Sequence, residues 1–168
     1  MASSQSQVFI YDTVDGDVHT FYVSPLPDTH GLTTGLPSEA IMGSLKDGPE
    51  RIVPESFITN KLFSRYLASV IAKHANSCPG LLAEARRQQN GHVVVIDNRT
   101  ATPDGRVPPE DIIGVFEVND GKLLRFHASP NHQLLTTNGF MRLEAFMNDR
   151  LVEELLVLSR TEEGIQGK

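Results

Sequence analysis

Eight residues in the second half of the chain carry groups that could act together: Asp97, Asn98, Arg99, Asp104, Arg106, His127, Asn131 and His132. An imidazole beside a carboxylate supplies a general base and the group that orients it. Arg99 or Arg106 can hold an anion through two parallel N–H bonds. Two histidines and an aspartate match part of a zinc ligand set. No short motif ties them to one reaction. The chain has no nucleophile elbow, no phosphate loop and no helical His-Glu-x-x-His. Ordinary turn chemistry explains several of the same residues. Asp97-Asn98 after a strand caps a turn, and Pro103-Asp104-Gly105 is a turn sequence.

The elements around these residues decide whether they meet. A β-branched run, Val93 to Ile96, ends at Asp97, and a second apolar run spans Ile112 to Val118. Asn119-Asp120-Gly121-Lys122 turns that run back into Leu123 to His127, because Asp-Gly is a strong hairpin signal. The end of the third run then lies near the start of the second. If the Val93–Ile96 strand is antiparallel to its successor, the loop from Asp97 to Asp111 opens at the same sheet edge. Side chains on loops held by a rigid sheet are good candidates for binding. The expected site is therefore Asp97, Arg99, Arg106, His127, Asn131 and His132. In it Asp97 orients His127, Arg99 holds a small anionic ligand, and no metal or other cofactor takes part.

The remaining chain supplies the frame. Gln7 to Tyr11 and Val18 to Val23 read as two strands joined through Asp12 to Asp17, which contains another Asp-Gly. The three aspartates there miss the alternate-residue spacing of a calcium loop. Ser24 to Pro37, with three prolines and two glycines, is a loop, and Ser38 to Met42 forms one or two helical turns. Pro54 to Ala75 repeats apolar residues at helical spacing, with Pro54 in the first turn. Leu81 to Gln89 is a shorter helix. Leu134 to Thr137 is a short edge strand, and Arg142 to Ser159 is the second long amphipathic helix. This order, ββααβββα or ββααββα, predicts an α+β fold. Its largely antiparallel sheet has about five strands, with the two main helices packed on one face. The 168 residues suit a single domain, 1–168, frayed over 1–6 and 160–168.

Composition narrows the function classes. Hydrophobic residues are 39% and charged residues 21%, an ordinary globular balance. No apolar run approaches the ~20 residues of a membrane span, and the first residues lack the pattern of a secretory signal. A single cysteine, Cys78, excludes an internal disulfide and a cysteine-rich metal site, so a cytoplasmic location is the expectation. The net charge is −6, and residues 1–50 hold seven acids against one base, Lys46. The rest of the chain is balanced, with no basic stripe, which argues against nucleic-acid binding. Two readings follow. The first is a small soluble binding or regulatory module, acting through a protein partner, self-association or a small ligand. The second is a small hydrolase or transferase built on the sheet-edge aspartate, arginine and histidine.

Overall fold

The computed structural model describes residues 7–27, 36–100 and 105–166. The expectations for residues 1–6, for much of the proline-rich loop and for Pro103-Asp104 lie outside them. The fold is α+β, and the strands among these residues form three antiparallel sheets rather than one of about five strands. The chain divides into two compact units. One comprises residues 1–67 and 151–168, the other residues 68–150.

The first unit carries β1 (Phe9–Asp15), β2 (Val18–Ser24), β3 (Gly43–Leu45) and β4 (Phe57–Thr59), paired in that order. β1 runs four residues further than its apolar pattern, because the turn needs only Gly16 and Asp17. Gly16 sits at φ +63°, the left-handed region a tight hairpin demands. Asp12 and Asp15 thus belong to the strand, and Asp12 meets the His19 ring across the pair at 2.9 Å.

The first long helix starts later than expected. Pro54 opens a 3-10 turn, Pro54–Ser56, and the next three residues become β4. Two close fits hold this arrangement. The buried Ser56 hydroxyl donates towards the carbonyls of Arg51 and Val53. Gly43 on β3 leaves room for the neighbouring strand, where a Cβ would collide with the Phe57 ring and the Ile58 carbonyl. Helix α1 (Lys61–His74) begins after Asn60, whose side-chain oxygen accepts from the Leu62 N–H. Phe63, Leu67, Val70 and Ile71 are buried at helical spacing, whereas Ile58 and Leu62 from the expected stripe are exposed.

The second unit holds a three-stranded sheet in the order β5 (Gly91–Ile96), β6 (Ile112–Asn119), β7 (Lys122–Ala128). Asp120 and Gly121 both take positive φ, so the β6–β7 turn is the tight hairpin turn that Asp-Gly implies. Helix α2 (Pro79–Gln88) begins with proline at its first position and packs against β5 and β7. A small hairpin, β8 (Leu135–Thr136) with β9 (Gly139–Phe140), follows. Helix α3 (Ala145–Gln166) continues past the expected end at Ser159, through a segment of mostly good helix formers. Its first turn is capped by Glu144, which accepts from the Met147 N–H at 2.7 Å and from the Cys78 thiol at 3.7 Å. α1 and α3 each contribute residues to both units.

Burial fixes where truncation is costly. Leu67→Ala and Leu151→Ala each remove a fully packed side chain and should cost ~2–5 kcal/mol in chemical denaturation. Ile58→Ala, at an exposed β4 position, should change stability by less than about half a kcal/mol. Equal losses at all three positions would contradict the burial pattern.

Candidate functional site

The antiparallel pairing of β5 with β6 sets the site. Strand pairing ends at Ile96, opposite Ile112, after an irregularity in register. The next peptide closes the ladder, as the Asp97 N–H donates to the Asp111 carbonyl at 2.8 Å. Two aspartates therefore stand side by side at the sheet end, and both side chains are buried. Two buried carboxylates require donors and positive charge.

Arg99, two residues beyond Asp97, supplies most of both. Its side chain is only 3% exposed. Nε donates to Asp111 Oδ1 at 2.9 Å and lies 3.5 Å from Asp97 Oδ2. Nη1 donates to the carbonyls of Leu134 and Gly139, at 3.2 and 2.9 Å. Nη2 donates to the Glu110 carbonyl at 3.1 Å and to the Gln133 carbonyl. A guanidinium has five N–H groups, and each has a protein acceptor here. Arg99 therefore has no donor left for an external anion, and its expected ligand role gives way to joining three chain segments.

The aspartates are equally engaged. Asp97 Oδ1 accepts from the N–H groups of Arg99 and Arg142, at 3.1 and 2.9 Å. Asp97 Oδ2 lies 3.0 Å from Nε2 of His132. Asp111 Oδ2 accepts from the Thr100 hydroxyl at 2.7 Å. The Asn98 N–H donates to the Arg142 carbonyl, which fastens the same loop to the approach to α3. Charge-assisted bonds of this kind are short and strong, and a network that satisfies every member rigidifies its surroundings.

Of the six residues expected to converge, Asp97, Arg99 and His132 do. His127 does not join them. It lies on β7 opposite Val115, and its Nε2 meets Glu117 Oε2 at 2.5 Å on the exposed side of the sheet. Asp97 orients His132 instead. Arg106 is exposed. Asn131 is exposed in the turn after β7, where its N–H donates to the Ser129 hydroxyl. Among the described residues, no group of three or more His, Cys, Asp or Glu could hold a metal ion. Asp111 and Thr100 were missed as site residues. The signal for Asp111 was available: antiparallel pairing sets the residue after β5 against the residue before β6.

An open cleft of about 510 Å³ lies over this network, lined by Pro109, Glu110, Pro130, Asn131, His132 and Gln133. One wall is the 3-10 turn Pro109–Asp111, and the other is the segment 130–133. The two walls are bonded to each other, since the Gln133 N–H donates to the Glu110 carbonyl at 3.1 Å. Both also accept from Nη2 of Arg99.

Two measurements check this assignment. Arg99→Ala leaves two buried carboxylates without their cation and should cost about 3–5 kcal/mol or prevent folding. A variant of unchanged stability would contradict the network. The bond from His127 holds the Glu117 carboxyl below the usual carboxylate range, more than offsetting the slight loss of hydration. Its contribution to stability is present above the unfolded-state value and is lost as pH falls through the depressed folded one. An NMR titration should place Glu117 below an ordinary glutamate, and His127→Ala should return it to the ordinary range.

No protein-family model, curated protein or solved structure matches the chain.

Proposed function

We propose that the chain is a small binding module that receives its ligand in the open cleft between residues 109–110 and 130–133. One observation carries this reading: Nη2 of a single buried arginine donates to the backbone of both cleft walls. A site whose walls are fixed before the ligand arrives avoids much of the ordering cost of binding. Its lining joins two prolines to a few polar groups, the mixture that gives a small-ligand site both contact area and orientation.

The second reading, a small hydrolase or transferase, draws on the Asp97–His132 pair. A buried carboxylate 3.0 Å from an imidazole is the arrangement of a general base and its orienting partner. Against it, the described residues of the cleft lining include no serine, threonine, cysteine or lysine to act as a nucleophile beside that base. A cytoplasmic setting accords with the lone Cys78. Burial and the nearby Glu144 raise its thiol pKa, with backbone bonds from Leu81 and Gly80 opposing them only in part. Protein contact or self-association has a separate candidate surface in β1. β1 ends its sheet, and Phe9, Ile10 and Val14 are exposed on it.

An NMR screen of the full chain against neutral, cationic and anionic fragments tests the proposal. Saturable shifts should cluster at the amides of Glu110, Asn131, His132 and Gln133. Hits that gather elsewhere, or no saturable hit, would overturn it. Turnover of acyl or phosphoryl ester substrates that disappears in His132→Gln would favour the second reading.

A further inference from the structure

The chemistry of the cleft specifies what charge it takes. The His132 side chain is 8% exposed, and its Nε2 faces a carboxylate oxygen of Asp97. A carboxylate only accepts, so the ring proton belongs on Nε2. In the neutral ring Nδ1 then carries the lone pair. Nδ1 has no partner among the described residues, although the residue lines the cleft. Glu110 adds a carboxylate to the same lining, and Asn131 and Gln133 add carboxamides. No lysine or arginine is among the described residues that line it. The Arg99 guanidinium, bonded to both walls, has spent all five donors on the protein. Beneath the cleft, Asp97 and Asp111 are buried against the guanidinium of Arg99. The Glu110 carboxylate disfavours an anion, and with Nδ1 of His132 it offers acceptors to a group that carries protons.

We infer that the cleft is a binding site for a cationic nitrogen group, an ammonium or guanidinium, recognised by the Glu110 carboxylate and by Nδ1 of His132. This rests on the cleft being the binding site. Asp97 is a positioning residue: it sets the tautomer that makes Nδ1 an acceptor. The small anion expected from Arg99 finds no free donor of that residue here. The group arrives on a free amine or on a basic side chain of a peptide, which is the same chemistry from two sources.

The test is an NMR titration of the full chain with benzylammonium, benzyl alcohol, benzoate and acetyl-Gly-Lys-Gly-amide. Benzylammonium should bind saturably at Glu110, His132 and Gln133, more tightly than the alcohol, with benzoate weakest. Tighter binding of the lysine peptide than of benzylammonium assigns a peptide source, and the reverse assigns a free amine. Glu110→Gln removes the charge without touching the buried network and should weaken benzylammonium by roughly tenfold. In Asp97→Asn, Oδ1 must stay an oxygen for the N–H groups of Arg99 and Arg142. The amide nitrogen then faces His132 and donates to Nε2. The ring proton moves to Nδ1, the imidazole ¹⁵N resonances exchange places, and cation binding is lost. If Asp97→Asn fails to fold, the probe preference and Glu110→Gln decide. Benzoate binding as tightly as benzylammonium, or an unchanged affinity in Glu110→Gln, overturns the inference while leaving the cleft a binding site. If all four probes leave the cleft amides unmoved, the inference and the proposed function fall together.

Discussion

The second unit depends on one constraint: two carboxylates are buried side by side where β5 hands over to β6. The backbone imposes this, since Asp97 and Asp111 are consecutive with strands that pair antiparallel. Taking two like charges out of water is costly, and leaving either unpaired costs more than the pair contributes. Arg99 answers the constraint locally, by folding its side chain back over the turn it belongs to. The rest of the guanidinium then has to be satisfied, which draws in the carbonyls of Glu110, Gln133, Leu134 and Gly139. One electrostatic demand thereby organises the 3-10 turn before β6, the segment after β7 and the β8–β9 hairpin.

The same constraint separates structure from recognition. Groups that looked reactive in the sequence, Asp97 and Arg99, are consumed by the fold. The residues left lining the cleft are less conspicuous: a glutamate, two carboxamides and one imidazole between two prolines. His132 belongs to both sets, because one ring nitrogen is held by the network and the other remains. The fold thus fixes one nitrogen of the His132 ring on Asp97 and leaves the ring beside the cleft.

The sequence was informative where local chemistry is strong. The Asp-Gly hairpins, the Val-rich β5 and the buried stripe of α1 are written in residue type and period. The gathering of Asp97, Arg99 and His132 at one sheet end followed from hairpin return alone. The choice of histidine did not, and the pleat explains why. Side chains alternate faces along a strand, and His127 on β7 points to the side that carries Glu117. His132 lies beyond the strand, in a segment that escapes this alternation and can turn its ring inward. The start of α1 was illegible for a different reason. Pro54 and Glu55 carry a sound helix-start signal, yet the three residues of β4 are held by a partner strand distant in sequence and by the missing side chain of Gly43. Three-residue strands set by tertiary fit leave no periodicity to read.

The account stands or falls on Arg99 being wholly committed to the protein. The direct measurement is the guanidinium itself, by ¹⁵N-resolved NMR of the full chain. Five acceptors in a buried site should block rotation and exchange with solvent. The account predicts a slowly exchanging Nε–H and four separately resolved, protected Nη–H resonances for Arg99. A guanidinium that rotates freely and exchanges as fast as the exposed Arg106 would contradict it.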